Sequence, residues 1–277
     1  MDCTELERKL AIAMNTYLSL KKRQSLIEDG ESIENIIASD NRFDTFPRER
    51  RQITAWLAQK EDRSIIWYGD KDFPSFGKLR GNLPYMLLCE GPHELPEEKK
   101  TAVIGTRHAT YGGIQQAYRF GRETAESNGV LVTGVTEGID QAALKGALDA
   151  KGRCIVLLAC GHDVEYPYLS GPVRNRVLEN GGCVISPFEP GMVALRANML
   201  ERNLLVAAFC DIAVVVQAPA RSGSLNVCDR ASDLGKPVYV GTEGAGDRFV
   251  QAGTKRLLED GTAKAVSSVS ETEAEHD

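Results

Sequence analysis

The sequence predicts an α/β protein, with a mostly parallel sheet flanked by helices and a small helical domain in front of it. Three observations carry this expectation. Apolar runs of strand length recur from Thr101 onward, longer segments of helical character separate most of them, and the first sixty or so residues read as helices instead. Strands alternating with helices imply βαβ units and a sheet buried on both faces. The architecture expected is an extended Rossmann-like core.

At the N-terminus, Thr4 and Glu7 have capping-box spacing ahead of Leu6, Leu10, Met14, Tyr17 and Leu18 at helical intervals. Further helices are expected near Ser32–Ala38 and Arg48–Gln59, which places a helical packing or interaction domain at residues 1–64. It lacks the glycine hairpin of a helix-hairpin-helix DNA module. The stretch "YGDKDFPSFGKLRGNLPYMLLCEG" reads as a turn-rich connector ending in a strand at Tyr85–Cys89. Strands are then expected at Ala102–Ile104, Val130–Thr133, Cys154–Ala159, Cys183–Ser186, Ile212–Gln217 and Pro237–Val240, giving a core over residues 65–266. The closing "SSVSETEAEHD", residues 267–277, reads as an acidic mobile tail.

Bulk composition narrows the function classes. With 42% hydrophobic and 26% charged residues in 277, wholesale disorder is excluded. The formal charge of −6 removes the global basic footprint usual in nucleic-acid binders, although a local basic groove remains compatible with it. Seven cysteines show no CxxC pair, and His93, His108, His162 and His276 are scattered, so neither a metal nor another cofactor is expected. No apolar run reaches membrane-span length and no signal-peptide core is visible; a cytoplasmic, non-membrane protein is expected.

Three loops at expected strand ends have unusual composition: "IGTRHATYGG" (Ile104 to Gly113), "VTGVTEGIDQAAL" (Val132 to Leu144) and "QAPARSGSLNV" (Gln217 to Val227). Ligands of open α/β sheets bind beyond the carboxyl ends of the strands. Glycines there let the backbone approach closely, and helix N-termini offer unpaired donors to an anion. No dinucleotide fingerprint and no Walker A sequence occurs, so the loops point to a phosphate-bearing ligand without naming it. Tyr111, Tyr118, Tyr166 and Tyr168 are the aromatics expected nearest the mouth, with Tyr118 at the spacing of a core position.

Taken together, "AVIGTRHATYGG", "VTGVTEGIDQAALKGAL", "VLLACGHDVEYP", "ERNLLVA" and "RSGSL" resemble, in order and spacing, the DNA-processing protein A (DprA/Smf) family. The resemblance covers roughly residues 70 to 265. It implies binding of single-stranded DNA, handover to a RecA-type recombinase in natural transformation, homodimers and no catalysis. Gly105, Thr106 and Arg107 match the family's G-S-R loop, and Arg221, Ser222, Gly223 and Ser224 its R-S-G-S-L loop. Arg202 and Asn203 are retained, whereas Glu137, Glu201 and Leu204 stand where relatives usually carry arginine. The chain stops where many relatives carry a winged-helix domain, so that module is expected to be absent.

The residues expected at phosphate are therefore Gly105, Thr106, Arg107, Gly134, Gly138, Arg202, Asn203, Arg221, Ser222, Gly223 and Ser224, with Lys145 secondary. Carboxylates at 137 and 201 are expected to weaken binding if they face the same groove. A phosphoribohydrolase of the same architecture would need P-G-G-x-G-T-x-x-E, which does not occur. Asp140 near a helix start is explained by the helix dipole alone. The competing expectation is a nucleotide-binding sensor, distinguishable by its indifference to ligand length.

Overall fold

A computed structural model describes residues 3–15, 18–30, 47–77, 83–92, 98–166, 171–246 and 248–272. The expected helix near Ser32–Ala38, Thr4's side chain, Tyr17, His93, Tyr168, His276 and the end of the acidic tail lie outside the described residues. Among the described residues nine strands form one sheet, β1 (Arg63–Trp67), β2 (Met86–Glu90), β3 (Lys100–Ile104), β4 (Val130–Thr133), β5 (Arg153–Leu157), β6 (Cys183–Ser186), β7 (Ile212–Val215), β8 (Val238–Gly241) and β9 (Lys264–Val266). Their order is β1-β2-β6-β5-β4-β3-β7-β8-β9. β1 pairs antiparallel with β2, and β2 antiparallel with β6; every other pair is parallel. The mixed α/β class and the mostly parallel sheet are as the sequence predicts.

Helices α1 (Cys3–Ala13), α2 (Leu20–Glu28) and α3 (Pro47–Leu57) precede the sheet. Leu10, Ala13, Ile53 and Trp56 from these helices form a buried cluster with Tyr85, Met86 and Leu88 of the β2 segment. The boundary expected after residue 64 therefore falls inside β1. Arg63–Trp67 is not a spacer, because its backbone completes the sheet edge against which the helices pack.

Six helices follow: α4 (Tyr111–Glu126), α5 (Ile139–Asp149), α6 (Gly171–Glu179), α7 (Arg196–Phe209), α8 (Gly223–Asp233) and α9 (Ala252–Glu259). One face of the sheet carries Ala117, Phe120, Ile139, Ala143 and Val177 against Val103, Leu131 and Val156. The other carries Leu205, Val206, Leu225 and Val227 against Ala102, Val132 and Ile155. Each fully buried Leu, Ile or Phe stabilises by about 1.5–3 kcal/mol, so both faces are firmly held. The six described cysteines from Cys89 onward are free and buried, behaving as small hydrophobes. No helix among the described residues is long and apolar enough to cross a membrane.

What positions the site is the reversal of strand order at β3. The chain leaves β3 for β4 on one side, while β7 lies on the other, with Ala102 opposite both Val132 and Ala213. Loops from the carboxyl ends of β3, β4 and β7 consequently meet. This is the crevice in which open α/β sheets bind ligands.

Candidate nucleic-acid interface

The crevice is a cavity of about 370 Å³. It is lined from β3–α4 by Gly105, Thr106, Arg107 and His108, and from β4–α5 by Thr136 and Asp140. The face of α7 supplies Arg196, Met199, Leu200, Arg202 and Asn203, and the start of α8 supplies Ser222, Gly223 and Ser224. Of the twelve residues expected from sequence, Gly105, Thr106, Arg107, Arg202, Asn203, Ser222, Gly223 and Ser224 are thus brought together.

Local chemistry explains how each loop is held. Thr110 caps α4, its Oγ1 accepting from Gly113 N at 3.1 Å. Ser222 caps α8, its Oγ accepting from Ser224 N at 3.3 Å. Ser224 Oγ donates to Gly105 O at 2.7 Å, and Asn203 Nδ2 donates to Gly223 O at 3.1 Å. The β3–α4 loop, α7 and the start of α8 are thereby tied into one rim.

Arg202 is the buried centre of this rim. Its guanidinium donates to Gly134 O, to Thr136 Oγ1 at 3.1 Å and to Asn203 Oδ1 at 3.2 Å. A side chain at Gly134 would displace the Arg202 guanidinium, whose Nη1 occupies the space of a Cβ. Asp140 accepts from Gly105 N at 3.2 Å and Thr136 N at 3.3 Å. Burial raises the Asp140 pKa to about 6 against the nearby Arg202 charge, and burial likewise lowers that of Arg202. Arg202 lines the cavity, yet most of its donors are spent on the protein; it fixes the loop and has little left for a ligand.

The β4–α5 turn is strained. Val135 has φ 51° and is buried, a conformation that β-branched residues rarely adopt. Gly138 follows at φ 84°, and a Cβ on it would stand 2.5 Å from Thr106 O. Such strain costs on the order of 1–3 kcal/mol and clusters at ligand sites.

Arg107 and Arg196 differ from Arg202. Both are exposed, and neither forms an ion pair among the described residues; Arg107 Nη2 donates to Met199 Sδ at 3.7 Å. Beside the Ser222-capped start of α8, they form a cationic end facing an apolar wall of Met199, Leu200, Val206 and Val227.

Other expected residues lie elsewhere. Gly138 and Lys145 line a separate cavity on the outer face of α5, and Lys145 pairs with Asp149 at 2.5 Å. Arg221 is exposed beside the cavity without lining it. The carboxylates expected to oppose phosphate are not in the cavity. Glu137 is half-buried in the turn, without an ion pair to Arg107 among the described residues. Glu201 points to the opposite side of α7, into a cavity beside the N-terminal helices that it shares with Glu189, where burial and then Glu189 raise its pKa to about 7. Leu204 packs on the core. A helix presents consecutive residues to different faces, so Glu201 and Arg202 diverge by about 100°.

Sequence reasoning missed Arg196, Met199, Leu200 and Thr136. Arg196 belongs to no motif and reaches the rim only because α7 lies across the crevice. Tyr111 is exposed at the start of α4, Tyr166 is half-buried, and Tyr118 donates to Asp149 Oδ2 at 3.2 Å on a half-buried face, not in the core. No group of three or more metal-ligating His, Cys, Asp or Glu occurs among the described residues.

Comparison with known proteins was made against this geometry. The family model for DNA recombination-mediator protein A matches residues 64–276. A putative DNA processing protein DprA of Mycobacterium tuberculosis is 36% identical over 183 residues, 65% of this chain and 46% of the relative. This chain thus spans about half the length of that curated relative. DNA processing protein DprA of Streptococcus pneumoniae is 31% identical over 213 residues, 73% of this chain and 74% of the relative. A Helicobacter pylori DNA processing protein A structure, described for its unique single-stranded DNA binding mode, superposes with TM-score 0.65 at 29% identity, covering 76% of this chain and 93% of that one. A structure of the Streptococcus pneumoniae protein superposes with TM-score 0.78 at 24% identity over 100% of this chain and 99% of its own, which is agreement in fold.

Proposed function

This chain belongs to the DNA recombination-mediator protein A family, and from that premise we propose that it binds single-stranded DNA at the β3, β4 and β7 crevice. One observation carries the reading: two exposed arginines, Arg107 and Arg196, stand beside the start of α8 and form no ion pair among the described residues. An arginine left unpaired is available for charge-assisted, bidentate hydrogen bonds to phosphate. Gly105, Gly134 and Gly138 allow the close loop approach, Ser222, Gly223 and Ser224 close the site, and Arg202 with Asn203 holds the rim rigid. Arg221 meets an adjacent phosphate. Lys145 and Gly138, on the α5 side, extend the path beyond the crevice.

Cytoplasmic action in DNA processing without catalysis, homodimerisation and handover to a RecA-type recombinase complete the proposal; family membership supports them. A second reading, a nucleotide sensor, is favoured by one feature: 370 Å³ is within the roughly 300–1,000 Å³ typical of small-ligand pockets. Competition decides between them. A labelled thymidine oligomer displaced by unlabelled oligomer and unaffected by mononucleotides is the expected result. Displacement by a mononucleotide at comparable concentration favours the sensor.

A further inference from the structure

We propose that a strand leaving the crevice runs over a second contact area at the same end of the sheet, where its bases stack on Tyr111 and Phe249 and its phosphates meet Arg221 and Arg248. The inference rests on the single-strand reading above.

Tyr111 and Phe249 are 81% and 80% exposed, against 50–56% for the other large exposed hydrophobics, Val193, Leu195 and Leu200. An aromatic ring that protrudes so far contributes nothing to the core. Two of them in one neighbourhood require a reason beyond the usual scatter of single exposed hydrophobics.

The neighbourhood is set by hydrogen bonds. Tyr111 opens α4, four residues after Arg107, a chain reach of at most about 14 Å. Its neighbour Gly112 packs on the carboxylate of Glu243, and Gln116 Nε2 donates to Thr242 Oγ1 at 2.7 Å, which seats the start of α4 against the turn after β8. From the other side, Gln251 Nε2 donates to Glu243 O, and Arg248 N donates to Gln251 Oε1 at 3.0 Å. Tyr111 and Phe249 therefore flank the same 242–244 turn. The connection back to the crevice is equally short: Gly253 N donates to Ala218 O at 2.8 Å, placing the start of α9 beside the loop that carries Arg221.

Charge identifies the occupant. Arg221 and Arg248 are exposed and, like Arg107 and Arg196, form no ion pair among the described residues. Four unpaired arginines thus border one end of the sheet. A two-fold interface with a second copy would oppose two surfaces that each carry Arg221 and Arg248 against Glu243, a net repulsion. A polyanion meets no such repulsion. Glu243, between the rings, repels phosphate locally, so a strand crossing there presents its bases and keeps its backbone on the flanking arginines. Aromatic faces interleaved with cations are how single strands are held without sequence preference.

The test is anisotropy with labelled oligothymidylates of about 5 and about 20 nucleotides, for wild type, Tyr111→Ala/Phe249→Ala and Arg248→Glu, with molecular mass followed by light scattering. The shorter oligomer fills the crevice alone. Expected is weakening of about tenfold or more for the longer oligomer in both variants, little change for the shorter, and unchanged mass. Wild-type affinity of both variants for the longer oligomer overturns the proposal while leaving the crevice reading intact. A loss that accompanies a fall in mass also overturns it, marking a contact between copies. Failure of the wild type to bind either oligomer overturns the single-strand reading and this inference with it.

Discussion

Two clusters of cations in this molecule are wired in opposite ways. At the β1–β2 edge, Lys60, Arg63 and Arg174 converge on the fully buried Glu90, with contacts of 2.5, 3.8 and 2.8 Å, beside the imidazole of His162 at 3.8 Å, whose pKa burial lowers. Burial opposes ionisation of that carboxyl, but the imidazole, Lys60 and Arg174 outweigh it and hold its pKa well below the usual range. At the crevice, Arg107 and Arg196 form no ion pair among the described residues. The chain neutralises the first cluster itself, binding helix α3, the sheet edge and α6 together. On the proposed reading, a ligand neutralises the second.

Removing the hub of the first cluster has the largest expected effect. Glu90→Leu leaves the half-buried Arg63 and Arg174 without their shared acceptor and should cost about 1–3 kcal/mol, read as a lowered midpoint in chemical denaturation. The same oligonucleotide affinity per folded molecule is expected. An unchanged midpoint would mean the cluster is solvated and the contrast false.

The mirror-image result is expected at the crevice. Arg107→Glu should leave stability within about 0.5 kcal/mol, as for exposed sites generally, while weakening oligonucleotide binding by about tenfold or more. Loss of stability comparable to that of Glu90→Leu would assign Arg107 a structural role instead.

Asp140 sharpens the contrast through pH. Its folded pKa of about 6 lies above the ordinary 3.8, so the fold prefers its protonated form. Its contribution to stability is therefore present below about pH 4 and is lost as pH rises through 6. For a bound anion the same titration means binding tightens severalfold as pH falls from about 7 to 5, because a negative charge leaves the cavity. Asp140→Asn, measured in a His108→Gln background that removes the neighbouring imidazole, should flatten that profile. A persisting slope would place the titrating group elsewhere.

Glu137→Arg should have the smallest effect, less than about threefold in affinity, since Glu137 lies off the cavity and a screened surface charge acts weakly at a distance. A tenfold gain would show that the strand passes over the β4–α5 turn.

Much of this was legible in the sequence, for identifiable reasons. The six strands with runs such as "CIVLLA" and "IAVVVQ" are buried on both faces and announce themselves. β1 and β9 did not, because "RSIIW" and "KAV" are short, partly charged edge strands whose identity depends on a neighbour. The three glycine loops were visible because turn chemistry is local. That Arg202 is internal and Arg196 external was not, since it depends on how α7 lies across the crevice. Lys145 illustrates the converse. Its spacing to Asp149 already marked an i,i+4 pair on an outward helix face.

On the proposed reading, the unpaired Arg107 and Arg196, not the buried Arg202, bind phosphate. The most direct test is the salt dependence of oligothymidylate binding in wild type and in Arg107→Ala/Arg196→Ala. Each lost phosphate contact removes about 0.7 from the slope of log affinity against log salt for a single strand, so the double variant should fall by about 1.4. Identical slopes in the two proteins would contradict the account.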